Sequence, residues 1–202
     1  SYAGRDIARM AAIAEVERDG ILRAAARLRA AGMPPRIVSA GASPTALHAA
    51  TLEGITEMRA GVYMLGDLFQ GQIGTHGLDD IAVTVLASVI GRYPDRGTVL
   101  LDAGALALSK DRSTEAAPRD WKFGRVLDLE GRPTLGDAMV TRVHQEHGEV
   151  RAADGLQLDR LPVGARVRVA PNHACLTAAA HDRYHVLEGG RLVAEWTRVN
   201  HW

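Results

Sequence analysis

The sequence has little of several features that mark particular classes of protein. Its single cysteine, Cys175, excludes an internal disulfide and favours a reducing compartment, so we expect a cytoplasmic protein. Lys+Arg and Asp+Glu both total 24 among 202 residues, and this zero net charge gives no electrostatic reason to expect nucleic acid as a partner. No uninterrupted apolar run approaches the roughly 20 residues of a membrane-spanning helix, so we expect no membrane partner either.

Lysine is the scarcest of the charged residues, with Lys110 and Lys122 set against 22 arginines. Any chemistry that needs a lysine amine is therefore restricted to two positions. Apolar residues make up 47% of the chain and charged residues 24%, as in an ordinary globular protein.

The first 75 residues alternate between helical and strand-like patterns. Apolar residues at helical spacing predict a helix over Arg5–Ala31, and a β-branched run predicts a buried strand over Arg36–Ala40. A second helix is predicted from Pro44 to about Leu52, then a strand over Thr56–Leu65 and a short helix or turn over Gly66–Gln72. This alternation predicts a parallel sheet covered by helices.

The rest of the chain has short strand-like runs separated by turn clusters, which predicts an all-β half. We place the boundary near Thr75–Leu78, giving domains of residues 1–75 and 76–202. The predicted strands are Ile81–Ile90, Thr98–Leu101, Arg125–Leu129, Ala138–Val143, Arg166–Ala170, Tyr184–Leu187 and Arg191–Trp196.

The α/β half is too small to stand as a fold by itself. Two strands cannot close a (β/α)8 barrel, which takes roughly 250 residues, and both strands leave unpaired edges. We therefore expect either that this half pairs with another chain or that the sequence is the C-terminal piece of a longer protein. In the second case, the remainder of the barrel is a partner of this chain.

Two segments of the α/β half are candidates for binding an anion or ligand. The loop Gly41–Thr45 joins a strand to a helix, and its glycine, its hydroxyls on Ser43 and Thr45 and the helix N-terminus suit a phosphate. An ordinary turn with an N-cap explains the same loop. Arg59 and Gly61 lie in a strand-like run, where a glycine often marks close approach of a ligand, although a β-bulge is the alternative.

A third candidate lies at Pro171-Asn172-His173-Ala174-Cys175. In an extended segment, residues two apart point to the same face, so His173 and Cys175 are able to address one metal ion. Imidazole and thiolate suit Zn²⁺, and two protein ligands leave room for water or substrate. The alternative is a buried free cysteine beside a hydrogen-bonded histidine.

Taken together, five motifs resemble one enzyme family in content and order. They are Val38-Ser39-Ala40-Gly41-Ala42-Ser43-Pro44-Thr45; Glu57-Met58-Arg59-Ala60-Gly61-Val62-Tyr63 with Asp67; Leu101-Asp102-Ala103-Gly104 with Ala107-Leu108-Ser109 and Asp111; Glu146-His147-Gly148; and Pro171-Asn172-His173-Ala174-Cys175. This series resembles the D-serine dehydratase and D-threonine aldolase group, pyridoxal-phosphate enzymes of the alanine racemase fold type.

The resemblance implies a fold: the last units of a (β/α)8 barrel followed by a C-terminal β-domain. It also implies site residues. The loop from Gly41 through Ser43 to Thr45, together with Gly61 and Val62, would hold the cofactor phosphate. Tyr63 would also bind the cofactor, and Tyr2 would lie beside it. Arg59 occupies the place where alanine racemases carry an arginine at the pyridine nitrogen. His173 and Cys175 match the zinc pair of the dehydratase branch, with Mn²⁺ as the alternative metal.

One family feature is absent from the sequence. The lysine that binds the cofactor lies on the family's first barrel strand, and neither Lys110 nor Lys122 fits that position. The resemblance therefore implies a pyridoxal-phosphate- and zinc-dependent lyase that acts on a D- or 3-hydroxy amino acid and forms a homodimer. Because the cofactor lysine is missing from this sequence, we expect the isolated chain to be inactive. The alternatives are an amino-acid racemase of the same fold type and a non-enzymatic binding module.

Overall fold

The computed structural model of the chain describes residues 6–199 and separates into two compact units. The first unit contains the residues up to Gly66 together with Gln70–Asp80. The second contains Asp67–Phe69 and the residues from Ile81 onward. None of the helices within residues 6–199 combines the length and the apolar character needed to cross a membrane.

The first unit begins with the predicted long helix, α1 (Ile7–Ala30). The Asp6 carboxylate caps its start by accepting a hydrogen bond from the backbone N–H of Arg9 at 2.8 Å. Gly32, at φ +75°, follows its end, a backbone conformation that glycine adopts without strain. Met10 and Ala14 form the buried face of the helix.

The remaining elements of this unit are shorter than the sequence predicts. They are β1 (Ser39–Ala40), α2 (Ser43–His48), β2 (Glu57–Met58) and 3-10 helices over Val62–Met64 and Leu78–Asp80, with α3 (Leu68–Gln72) running across the division between the units. The strands β1 and β2 are parallel, as predicted. The predicted strand over Thr56–Leu65 is wrong beyond Met58, because the chain turns into the 3-10 helix at Val62.

The second unit is built around a closed antiparallel barrel of six strands. In barrel order these are β3 (Val85–Tyr93), β4 (Thr98–Leu101), β7 (Gly148–Arg151), β6 (Met139–Val143), β5 (Gly124–Leu127) and β8 (Arg166–Pro171). Alternate residues of β3 point inward, so Val85, Ala87 and Val89 are buried while Leu86 is exposed. Each of the six strands contributes at least one buried valine, and β4 adds Leu101 to its Val99, so the core is the barrel interior.

The second unit is β-rich, as predicted, but it is not all-β. It contains two short α-helices, α4 (Ala105–Leu108) and α5 (Ala174–Ala179), and 3-10 helices over Pro94–Arg96 and Leu158–Arg160. A two-stranded hairpin of β9 (Arg183–Glu188) and β10 (Arg191–Thr197) follows. Strand β7 was not predicted, because its Gly-Glu-Val-Arg sequence offers a single large apolar residue. Helix α4 precedes the loop 109–123, and helix α5 follows strand β8 directly.

Candidate metal centre and cofactor loop

His173 and Cys175 lie where strand β8 gives way to helix α5. His173 is the N-cap residue of α5, with an extended backbone (φ −138°, ψ 105°), and Cys175 is the second residue of the helix. The prediction that both residues belong to one extended segment is therefore wrong. The two side chains nevertheless remain close enough for Cys175 to raise the pKa of His173.

A third residue, distant in sequence, contacts the same histidine. The Asp111 carboxylate forms a short hydrogen bond with Nδ1 of His173, and it also accepts a hydrogen bond from the hydroxyl of Ser113 at 2.9 Å. The Ser113 hydroxyl lies 3.4 Å from the same ring nitrogen. His173 and Asp111 are partly buried, with side chains 32% and 26% exposed. The group is thus accessible from solvent and reachable by a small ligand.

Cys175 and Asp111 both favour the protonated form of His173. The hydrogen bond to Cys175 raises the pKa of His173 to about 9, helped by Asp111 and opposed by burial. Burial by itself would raise the pKa of Asp111, but hydrogen bonds from His173 and Ser113 outweigh that effect and lower it. A cation is therefore favoured at the imidazole, and a divalent metal ion would take the place of the ring proton.

The donor set is compatible with a metal ion held by few protein ligands. Among residues 6–199, no three His, Cys, Asp or Glu side chains converge as a ready-made cage. A thiolate and an imidazole nitrogen are nonetheless a donor pair that suits Zn²⁺, and the coordination positions they leave open accept water or a substrate oxygen. Open positions are a feature of catalytic rather than structural metal sites.

Buried polar residues fix the backbone on either side of His173. The Asn172 amide accepts from the backbone N–H of Thr114 at 3.1 Å and donates to the Thr114 hydroxyl at 2.7 Å and to the Lys122 carbonyl at 2.5 Å. The carboxylate of Asp67, also buried, accepts from the N–H of Ala174 at 2.9 Å. The sequence does not reveal these contacts of Asn172, Thr114 and Asp67, because their partners lie about 50 to 110 positions away.

The loop tied to Asn172 contains an ion cluster centred on Asp120. Its carboxylate pairs with Arg112 at 2.6 Å and with Lys122 at 2.8 Å. Burial by itself would raise the pKa of Asp120, but hydrogen bonds from Lys122 and Arg112 lower it to about 2. Lys122 is thereby engaged in an ion pair.

This depressed pKa predicts a loss of stability in acid. A carboxylate whose pKa is lower in the folded than in the unfolded state stabilises the fold above the unfolded value, and it ceases to do so as the pH falls through the folded value. We expect Asp120 to contribute about 2 kcal/mol near neutral pH, with most of it lost between about pH 4 and pH 2. Denaturant unfolding at several pH values checks this: Asp120→Asn should lower the free energy of unfolding at pH 6 and converge with wild type near pH 2. Parallel pH curves would contradict it.

The predicted phosphate loop lies in the first unit, after strand β1. Because β1 and β2 are parallel, with Ala40 opposite Met58, the residues that follow the two strands leave the sheet at the same edge. Gly41 is packed against the other segment: a Cβ at this position would lie 2.4 Å from the carbonyl oxygen of Arg59. Its N–H lies 3.4 Å from the carboxylate of Glu17, so an acidic oxygen already faces this donor.

The hydroxyls of the loop differ in what they contact. Ser43 and Thr45 are both buried in the first turn of α2. Thr45 donates to the carbonyl of Ala42 at 3.0 Å, whereas the Ser43 hydroxyl has no hydrogen-bond partner among the described residues. A buried hydroxyl without a partner costs free energy, and such a group is typical of a site that receives a polar ligand. The loop therefore fits the phosphate of pyridoxal phosphate.

The other predicted cofactor residues are more exposed. Arg59 donates to the Ser39 hydroxyl at 2.7 Å and lies 3.4 Å from the Glu57 carboxylate, with a side chain two-thirds exposed. Gly61 has open space where a Cβ would stand. Val62 and Tyr63 begin the 3-10 helix, and Tyr63 is exposed. Tyr2 lies outside the described residues.

Comparison with known proteins places the chain in a family. Residues 82–187 match the family model described as "Putative serine dehydratase domain". The chain is 45% identical over 195 residues to D-threo-3-hydroxyaspartate dehydratase of Delftia sp. (strain HT23), covering 95% of this chain and 51% of that protein. It is 31% identical over 183 residues to D-serine dehydratase of Dictyostelium discoideum, covering 87% and 46% respectively. The chain thus spans about half the length of these two relatives.

Solved structures agree in fold. The D-threo-3-hydroxyaspartate dehydratase from Delftia sp. HT23 superposes with a TM-score of 0.92 at 43% identity, covering all of this chain and 54% of the other. An Ala racemase-like protein from Idiomarina loihiensis gives 0.92 at 37%, with the same coverage. Two variants of a D-threo-3-hydroxyaspartate dehydratase match with TM-scores of 0.92 and 0.91, each at 42% identity and over the whole of this chain, covering 52% and 54% of theirs.

In those variants a histidine and a cysteine two positions apart are each replaced by alanine, and the cysteine variant is in the metal-free form. His173 and Cys175 have the same spacing in this chain. The family model, the relatives and the solved structures agree, and the chain belongs to the serine dehydratase domain family, which is related to D-serine dehydratases and D-threo-3-hydroxyaspartate dehydratase and has the alanine racemase fold.

Proposed function

We propose that the chain is the C-terminal portion of a pyridoxal-phosphate- and metal-dependent lyase that removes water from a 3-hydroxy amino acid of D configuration. The observation that carries the proposal is the His173–Cys175 pair, a soft, open donor set, in a chain 45% identical to a D-threo-3-hydroxyaspartate dehydratase. The identity to a D-serine dehydratase is lower, at 31%. We therefore favour a 3-hydroxyaspartate over serine as substrate.

Each part of the chain has a distinct task in this proposal. The bound cofactor would supply an electron sink for the charge left at the substrate α-carbon. Ser43 would donate its buried hydroxyl to the cofactor phosphate, and the backbone at Gly41 would allow that phosphate a close approach. His173 and Cys175 would hold a metal ion, proposed as Zn²⁺, that supplies Lewis acidity to a substrate hydroxyl. Asn172 and Asp67 would keep the strand-to-helix turn rigid.

The proposal extends to the fold of the first unit, which we infer to be the last units of a (β/α)8 barrel, within domains of residues 1–75 and 76–202. Parallel sheets are normally covered on both faces, yet this one has two strands of two residues each. Apolar side chains of the unit are widely exposed, among them Ile7 at 63%, Val16 at 71% and Ile37 at 61%. Both features are expected if further barrel units cover this surface. The cofactor lysine then belongs to those units, which agrees with the ion-paired state of Lys122.

Product analysis tests the proposed reaction. The purified enzyme containing this chain is incubated with D-threo-3-hydroxyaspartate, with D-serine and with D-threonine. Loss of water from 3-hydroxyaspartate gives ammonia and a four-carbon 2-oxo acid, whereas cleavage between the α and β carbons gives glycine and glyoxylate. We expect ammonia with 3-hydroxyaspartate and less with D-serine. Glycine as the main product would replace dehydration by aldol cleavage, and inversion without breakdown would indicate a racemase.

Ser43→Ala tests the cofactor loop separately, because it should change the two forms of the enzyme in opposite directions. Without cofactor the variant loses an unpaired buried hydroxyl, so its melting temperature should stay the same or rise. With cofactor it loses a hydrogen bond to a charged phosphate, and the Kd for pyridoxal phosphate should rise roughly 10-fold or more.

Thr45→Val is the matched comparison for that experiment. It removes the internal bond to Ala42 and should destabilise the cofactor-free form instead. Spectral titration of the cofactor and thermal melting give both readings. Equal cofactor affinity of Ser43→Ala and wild type would contradict the assignment of Ser43.

A further inference from the structure

The Asp111 carboxylate faces one particular nitrogen of the His173 ring. Its Oδ2 is hydrogen-bonded to Nδ1, although the two residues are 62 positions apart. An ionised carboxylate accepts hydrogen bonds and cannot donate them, so Nδ1 must carry the proton of this contact. In a neutral imidazole the free lone pair then lies on Nε2, the nitrogen on the far side of the ring.

We propose that Asp111 is a positioning residue that fixes the tautomer and the orientation of His173, so that Nε2 is the atom presented to the metal ion. The inference rests on the proposed role of His173 as a metal ligand. Metal-binding histidines commonly donate their second ring N–H to a carboxylate, which holds the ring in place and makes it a stronger ligand. Asp111 supplies that carboxylate from a different part of the chain.

Ser113 does not supply the same function. Its hydroxyl lies 3.4 Å from Nδ1, at the long limit of a hydrogen bond, while it donates to the Asp111 carboxylate at 2.9 Å. Its proton is thus directed at Asp111 rather than at the ring. Ser113 fixes the carboxylate, and the carboxylate fixes the histidine.

The loop that carries Asp111 is held in place without the histidine. Ser109 and Lys122, at φ +70° and +52°, are the two non-glycine residues with positive φ in the part of the chain that the structure describes. Backbone strain of this kind persists where the surroundings enforce it, and it concentrates at functional sites. The Ser109 hydroxyl accepts from the N–H of Asp111 at 3.2 Å, and Asn172 binds the carbonyl of Lys122.

Both ends of the loop are therefore fixed, one beside Asp111 and the other beside the residue that precedes His173. A carboxylate on a loop fixed in this way is preorganised for its partner. The same loop would serve no such purpose if His173 were merely a surface histidine that accepts whichever hydrogen bond is nearest.

Metal affinity of the full enzyme tests the inference, measured by competition with a chelator and reported as the zinc dissociation constant. Asp111→Asn keeps the size of the side chain but removes the charge, and we expect roughly 10- to 100-fold weaker zinc binding, in line with other losses of such partners. Asp111→Glu should recover part of the affinity, while Ser113→Ala should cost less than Asp111→Asn. The melting temperature of the metal-free form should be nearly the same in all of them, since Asp111 is a quarter exposed.

Nitrogen NMR of the zinc-loaded wild type provides a direct reading that needs no variant. Zinc on Nε2 with a protonated Nδ1 supports the inference, and zinc on Nδ1 overturns it. Unchanged zinc affinity in Asp111→Asn also overturns it, provided that Cys175→Ala does lose the metal. If the wild type binds no zinc, or Cys175→Ala retains it, the proposed metal site itself fails.

Discussion

Cys175→Ala is expected to remove the metal ion from the enzyme and to reduce kcat by roughly 10²- to 10³-fold. The reason is the small number of ligands: with two protein donors, the loss of one leaves His173 as the sole anchor. A Lewis acid contributes several kcal/mol of transition-state stabilisation, and every 1.36 kcal/mol is a factor of ten in rate. The cofactor loop belongs to other elements, so the absorbance of bound pyridoxal phosphate should remain.

The fold should tolerate this substitution, because Cys175 is exposed and contributes nothing to the core. Leu176→Ala is the matched control: it removes an exposed side chain from the neighbouring position of the same helix, and it should retain metal and activity. Elemental analysis of the dialysed proteins and steady-state kinetics give the two measurements. If Cys175→Ala keeps a stoichiometric metal ion and full activity, Cys175 is a free thiol and not a metal ligand.

The metal pair shows what a sequence can and cannot predict about a site. Two ligand-type residues two positions apart are visible locally, and the prediction of His173 and Cys175 as one pair rests on that spacing. The prediction that both lie on one extended segment was wrong, since helix α5 starts between them. His173 lies before the first helical turn and keeps an extended backbone (φ −138°, ψ 105°), so it remains close to Cys175 although the two residues do not share a strand.

Local sequence patterns do not predict which residues hold His173 in place. Asp111 occurs in one of the family-like motifs, but nothing around it indicates that its partner is His173, because the loop 109–123 is irregular and its path depends on the barrel. The contacts of Asn172 cannot be predicted from its sequence neighbours either. Its three hydrogen bonds go to Thr114 and to the Lys122 carbonyl, which both lie on the loop 109–123. Long-range hydrogen bonds of this kind depend on tertiary structure rather than on periodicity.

Secondary structure was predicted correctly where a strong apolar periodicity runs over many residues, and incorrectly where the periodic run is short. Helix α1 has seven turns of apolar spacing, and its observed bounds differ from the predicted ones by two residues at most. The strand predicted over Thr56–Leu65 failed because its apolar residues suit a strand and a helical turn equally, and the chain enters a 3-10 helix at Val62. Strand β7 was missed since Val150 alone marks its inner face, and its pairing with β4 and β6 defines it instead.

Gly41→Ala is expected to abolish retention of pyridoxal phosphate. The added methyl carbon would lie 2.4 Å from the carbonyl oxygen of Arg59 and 2.9 Å from its Cβ, distances that no packed structure accommodates, so one segment must move. The displaced contact joins the ends of β1 and β2, and Arg59 N–H donates to the carbonyl of Ala40 at 2.8 Å right beside it. Moving these segments apart would shift the backbone of the Gly41–Thr45 loop away from the bound phosphate and break hydrogen bonds to it.

Gly20→Ala is the control in the same unit, since the nearest neighbour of the added Cβ lies at 3.8 Å and alanine favours a helix. Gel filtration followed by absorbance spectroscopy should show cofactor lost from Gly41→Ala and retained in Gly20→Ala, whereas equal cofactor content in both would exclude the Gly41 loop from the cofactor site.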